Sequence, residues 1–108
     1  MKTKVLEKNV LNACCDYLAL RKHFFWRNNN APIYDPRFGG FHPLPKHTMK
    51  GIPDIIVITD GGYVVFLECK GSNGKLSPDQ KIFRDRCKDK GAEYYVVFSV
   101  DQLKEIGL

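Results

Sequence analysis

Three charged residues stand inside runs otherwise suited to burial: Asp54 next to Pro53, and Glu68 and Lys70 on either side of Cys69. A carboxylate in an apolar, β-branched segment is costly unless it is paired or binds a cation, so Asp54 and Glu68 need a chemical reason. Residues 52–59 and 63–70 flank Asp60, Gly61 and Gly62, which reads as a β-hairpin. With those three residues as the loop, Thr59 faces Tyr63, Ile58 faces Val64, Ile56 faces Phe66 and Asp54 faces Glu68. Directly opposed residues share a sheet face with Cβ atoms about 4.5–5.5 Å apart, a separation two carboxylates can bridge onto one ion. Alternation sends Lys70 to that face and Cys69 to the other. A loop one residue shorter would turn Glu68 away from Asp54.

Oxygen-only ligands with an open coordination shell suit Mg²⁺ or Mn²⁺ better than zinc. A lysine beside such an ion can hold a phosphate oxygen or help deprotonate an attacking water. That is the chemistry of phosphodiester hydrolysis, by in-line attack of a metal-activated water. The plain alternative is a hairpin end carrying surface charges, with an ion pair between Lys70 and Glu68.

The elements that must position these groups follow from periodicity. Over residues 3–20, Val5, Leu6, Val10, Leu11, Cys14, Tyr17 and Leu18 recur at spacings of three and four, which predicts an amphipathic helix. Glu7 heads its Leu11, Cys14 and Leu18 stripe, either as a site residue or as a solvated first-turn carboxylate. Residues 23–27 suit a short strand ending at Asn28, Asn29 and Asn30. From there to Lys50, Pro32, Pro36, Pro43 and Pro45 with Gly39 and Gly40 leave no room for a regular element. Arg37, His42, Lys46, His47 and Lys50 make that loop basic. Its Tyr34, Phe38 and Phe41 either stack on bases or pin the loop to the body. Ser77, Pro78 and Gln80 open a second helix that Gly91 closes, residues 94–100 read as a buried strand, and residues 99–106 as a short helix with a second Ser and Gln cap spacing. The fold class expected is α/β of the α+β type, a small mixed sheet with helices packed on it.

A chain of 108 residues suits one domain, residues 1–108. Its formal charge of +5, from 17 Lys and Arg against 12 Asp and Glu, favours a polyanionic partner. Cys14, Cys15, Cys69 and Cys87 form no C-x-x-C pair, which argues against structural zinc. With no membrane span or signal peptide in view, the expected setting is intracellular, in the cytoplasm, with reduced thiols. No P-loop motif occurs, so no nucleotide cofactor is expected.

Pro53-Asp54 followed by Glu68-Cys69-Lys70 resembles the signature of the PD-(D/E)XK nuclease superfamily. The flanking strings Lys50-Gly51-Ile52-Pro53-Asp54, Glu68-Cys69-Lys70-Gly71 and Leu76-Ser77-Pro78-Asp79-Gln80 resemble its VRR-NUC branch. The resemblance implies a restriction-endonuclease-like core in which Asp54, Glu68 and the backbone carbonyl of Cys69 ligate Mg²⁺ or Mn²⁺. It implies that Lys70 positions or activates the water, that Gln80 is the helix glutamine near the site, unless it only caps the helix, and that Glu7 is the helix glutamate completing it. It further implies an endonuclease leaving a 5′-phosphate. Stand-alone, often phage-encoded members suggest a homodimer acting on branched DNA, a four-way junction or a flap.

Two rivals stand beside this reading, the first from another class. In a non-catalytic DNA-binding module, Arg37, Lys46, Lys50, Lys70 and Lys75 contact phosphates and the carboxylates are incidental. A nuclease of the histidine and asparagine metal-finger kind would use Asn28–Asn30, His42 and His47, which lack a strand and helix to aim them.

Overall fold

The computed structural model describes residues 4–28, 34–42 and 45–108. Val10, Leu11, Cys14 and Leu18 form the buried stripe of α1 (Glu7–Leu20), as the spacing predicts. The helix starts at Glu7 and not near residue 3, because the preceding backbone is bonded elsewhere. The Val5 N–H donates to Ser72 Oγ (2.8 Å), and the Ser72 N–H donates to the Val5 carbonyl (2.9 Å). Residues bonded to a distant loop in this way are withdrawn from the helical ladder.

Strand β1 (Phe24–Arg27) follows. The proline-rich stretch after it does hold a regular element, contrary to expectation: β2 (Tyr34–Asp35) and β3 (Gly40–Phe41) pair as a minimal ribbon. Asp35 organises its turn by accepting from the Arg37 N–H (2.9 Å), with Pro36 in the position where a fixed φ helps. Strands of two residues leave no periodicity to read. Asn29, Asn30, Pro32 and Pro43 lie outside the described residues.

The hairpin is β4 (Ile55–Ile58) and β5 (Val64–Cys69), shorter at its open end than 52–59 and 63–70. Pro53 has no N–H to donate, and the Cys69 N–H is taken by the Asp54 carboxylate, so regular pairing stops at Ile55. α2 (Pro78–Asp89) has the expected capping box at Ser77 and Gln80. It leads to β6 (Glu93–Val97), which pairs parallel to β5, and then α3 (Val100–Glu105). Ser99 sits at the cap position of α3 but its hydroxyl makes no cap bond; Gln102 Oε1 instead accepts from the Phe98 N–H.

The sheet order is β1-β4-β5-β6, antiparallel but for the last pair, a mixed sheet with helices on both faces. Ile55, Val57, Val65, Leu67, Cys69 and Val97 face α1 and α3 and are buried with Leu11, Leu18 and Leu103. Phe66 and Tyr94 face the other way, against Phe83 of α2, at ring separations of 5.3 and 6.3 Å from it. Among the described residues no helix is long and apolar enough to cross a membrane.

Two close approaches fix how the helices meet the sheet. A Cβ at Gly51 (φ +74°) would lie 2.5 Å from the backbone of Asp79, and one at Gly71 would lie 2.5 Å from the Val5 carbonyl oxygen. The loop before β4 thus presses on the first turn of α2, and the end of β5 presses on the start of α1. Gly51→Ala combines a backbone clash with a left-handed conformation and is expected to destabilise the protein by about 2 kcal/mol or more, read as a lower midpoint in urea unfolding. An unchanged midpoint would mean the loop does not rest on α2.

Candidate active site

The turn decides the geometry. The Thr59 N–H donates to the Tyr63 carbonyl (2.9 Å) and the Gly62 N–H to the Thr59 carbonyl (3.0 Å), so Asp60, Gly61 and Gly62 form the loop. The pairs Ile58 with Val64, Ile56 with Phe66 and Ile55 with Leu67 follow. One step further, Asp54 stands opposite Glu68, in the register the sequence predicts.

Three hydrogen bonds hold Asp54 and the residue before it. Its Oδ2 accepts from the Cys69 N–H (2.8 Å), and its carbonyl accepts from the Asn28 N–H (2.8 Å). The Asn28 side chain donates to the neighbouring Pro53 carbonyl (2.9 Å). Asn28 therefore clamps the Pro53-Asp54 backbone from the end of β1. The sequence offers Asn28 only as the end of a strand or in the metal-finger alternative, because no signal in one sequence says that β1 pairs with β4.

Glu68 is 2% exposed and Lys70 9%, the two buried charged residues of the described chain. Gln80 joins them: its Nε2 donates to Glu68 Oε1 (2.9 Å), and its Oε1 accepts from Lys70 Nζ (3.0 Å) and from the Ser77 N–H (2.8 Å). The glutamine thus caps the helix and bridges Glu68 to Lys70 with the same amide. Lys70 Nζ also lies 3.5 Å from Glu68 Oε1 and 3.5 Å from Oε1 of the half-exposed Glu7. The close approach at Gly71 is what brings Glu7, the first residue of α1, within reach of that ammonium group.

Burial, and then the Asp54 charge, push the Glu68 carboxyl up to about 8. Burial also raises Asp54, against the pull of the Cys69 N–H. Glu68 Oε2 is buried with no hydrogen-bond partner, and the Tyr94 hydroxyl is in the same state. Two crowded carboxyls, one with an oxygen that no protein donor reaches, fit a hard divalent cation, and these are oxygen ligands as Mg²⁺ or Mn²⁺ prefers. Among the described residues no three Asp, Glu, His or Cys side chains gather as a ready-made metal cluster. Glu7 stands off, linked through Lys70. Cys69 meets Asp54 through its amide, while its thiol lies in the core beside that of Cys14.

The basic residues divide. Lys50 adjoins Gly51 at the start of α2, and Lys75 follows Gly74, whose backbone runs against the Lys70 side chain, so both exposed cations flank the site. Arg37 lies in the β2–β3 ribbon, 92% exposed, and pairs with Asp35 (3.4 Å). Lys46 is exposed in the loop that follows. His42 pairs with Asp35 (3.1 Å) and stacks on Phe38, while Asn28 serves the Pro53-Asp54 backbone, so these two of the metal-finger residues have separate partners.

A family model described as the VRR-NUC domain matches residues 45–101, which include Asp54, Glu68, Lys70 and Gln80. No curated protein and no solved structure matches the chain.

Glu68 gives the protein a signed pH dependence. The folded group keeps its proton up to about 8, while its ordinary value is 4.5, so folding takes up a proton between those limits. Stability without divalent ions is therefore full below that window and falls as pH rises through it. Thermal melts in chelator at pH 5.5, 7 and 8.5 are expected to show that decline, and Glu68→Gln to flatten it. An equally steep decline in the variant would place the titration elsewhere.

Proposed function

The chain belongs to the VRR-NUC domain family and is a nuclease with DNA as its substrate; on that premise we propose that it is a metal-dependent endonuclease whose active site is Asp54, Glu68 and Lys70. The observation that carries this reading is the buried Glu68, set opposite Asp54 and beside Lys70, with one oxygen that the protein leaves without a donor.

Asp54 and Glu68, with the Cys69 carbonyl, would hold Mg²⁺ or Mn²⁺, and Glu7 would complete the set from the rim. Such an ion supplies a water of lowered pKa and neutralises charge on the phosphate. The chain's own part is positioning. Asn28 and the Cys69 N–H keep the Asp54 carboxylate turned toward Glu68. Gln80 fixes both Glu68 and Lys70 from the start of α2, so neither side chain must be ordered when substrate arrives. Lys70 Nζ, shielded from solvent, would orient the attacking water or bind a phosphate oxygen as charge grows there. Lys50 and Lys75 flank the site as contacts for the phosphates on either side, and Arg37 and Lys46 extend the basic surface. Hydrolysis would leave a 5′-phosphate.

The finer reading is a cut in branched DNA, a four-way junction or flap, by a homodimer of the chain. It draws on the resemblance to stand-alone members of the family and on the net charge of +5. An exposed basic face without buried carboxylates would serve a non-catalytic DNA-binding module better, since carboxylates repel the phosphates such a module must hold.

Labelled junction, flap and plain duplex, each incubated with Mg²⁺, Mn²⁺ or chelator, test the reading. Cleavage is expected with either ion and not with chelator. Asp54→Ala, Glu68→Ala and Lys70→Ala should each lower the rate by about 10²–10⁴-fold with DNA affinity largely kept, and Asn28→Ala, which only loosens Asp54, by about tenfold. DNA binding without cleavage by any divalent ion would restore the non-catalytic module.

A further inference from the structure

Beside the catalytic cluster, on the same face of the sheet, a cavity of about 230 Å³ opens between β5, α2 and the loop before β4. Met49, Phe66, Phe83 and Ala92 line it, together with Arg86 and Lys90. Both cations are exposed, and neither forms an ion pair among the described residues. Resting on the reading of the chain as a DNA nuclease, we infer that this cavity receives one unpaired nucleobase of the substrate strand, next to the phosphate being cut, while Arg86 and Lys90 hold the backbone that carries it.

Position is the first argument. Phe66 lies two residues before Glu68 on β5, roughly 6.5 Å along the strand and on the same face. Phe83 lies three residues after Gln80 on α2, one helical turn away and on the same side. The two elements that build the catalytic cluster thus run on to form the cavity, and a strand with its phosphate at Lys70 has a neighbouring nucleotide within reach of it.

The chemistry of the lining is the second. Phe66 and Phe83 meet edge to face, with ring centroids 5.3 Å apart, so the pair forms an angled aromatic wall that leaves the space between β5 and α2 open. Met49, 40% exposed, adds an adaptable apolar wall that is left partly open to solvent. An aromatic and thioether lining accepts the face of any base, and two cations one helical turn apart at its edge match the phosphates on either side. A base in a duplex cannot enter, because it is stacked and paired, so only a strand with an unpaired nucleotide gains from the cavity. The cations could instead serve only the C-terminal end of α2, where the helix dipole favours positive charge. That role asks nothing of the base and is separated from the proposal by experiment.

The test is binding, not cleavage, and is run in chelator with the full chain. Fluorescence anisotropy would compare a blunt duplex, the same duplex with a short single-stranded tail, and the same tail built from abasic residues. The tailed duplex is expected to bind about tenfold tighter than the blunt one, and the abasic tail, which keeps the phosphates, to lose most of that gain. Ala92→Leu fills the cavity and leaves both charges in place, and it should remove the preference for the tail. Equal affinity for normal and abasic tails would overturn the proposal without any variant. So would a preference that survives Ala92→Leu in a protein with an unaltered melting curve. Tail preference in a protein that cleaves nothing would keep the cavity's role while sinking the nuclease mechanism above; no affinity for any of the three DNAs would overturn both.

Discussion

The desolvation of Glu68 is the constraint on which the site rests. A carboxylate that is 2% exposed has given up water and must recover that loss from protein groups. Burying an unpaired charge costs several kcal/mol even after relaxation. The chain returns part of it through the Gln80 amide and the Lys70 ammonium, both on Oε1. It then works against itself by standing Asp54 opposite and leaving Oε2 without a donor. The result is a carboxyl held up to about 8, a group that keeps a proton at neutral pH unless a cation takes its place. An arrangement selected for stability alone would put an apolar side chain there.

The surrounding structure makes that imbalance tolerable and aims it. The starts of α1 and α2 both meet the cluster, one bringing Glu7 and the other Gln80, and helix N-termini carry partial positive charge that favours anions nearby. Neither helix could come so close if residues 51 and 71 had side chains. Economy shows in Gln80, which completes the capping box of α2 and bridges Glu68 to Lys70 with the same amide. A capping box with its usual glutamate would set another negative charge beside Glu68, so the glutamine is the form of the motif that suits both duties.

The parts of this that a reader of the sequence can find are those governed by local rules. The Asp60-Gly61-Gly62 turn and the alternation on each side of it fix the hairpin register, and the register alone pairs Asp54 with Glu68. Ser77, Pro78 and Gln80 announce the start of α2 by capping chemistry. What escaped depends on contacts between residues far apart in the chain. The start of α1 is set by Ser72 bonding Val5, the clamp on Asp54 comes from Asn28 across a pairing of β1 with β4, and the Ser99 cap yields to Gln102 reaching Phe98. The β2–β3 ribbon was illegible for the opposite reason, since elements of two residues are too short to carry a pattern. Gln80 shows the limit most clearly. Its spacing leaves cap or site as alternatives, and in the fold one amide both closes the capping box and bonds Glu68 and Lys70.

The alternation that gives β5 its two faces also separates stability from chemistry. Val65, Leu67 and Cys69 point to the core with α1 and α3, while Phe66, Glu68 and Lys70 point to the site and the cavity beside it. The apolar core that opposes the entropy of folding is thus built on the side of the sheet where no charge is buried. The penalty of the carboxylates falls on the face that α2 covers only in part, and there a ligand can relieve it. Cys69 is the hinge of the scheme: its thiol belongs to the core and its amide holds Asp54, so a shift of β5 within the core is felt at the carboxylate within one residue. The same coupling helps so small a chain hold Glu68 and Lys70 still, because the strand that carries them buries Val65, Leu67 and Cys69 on its other side.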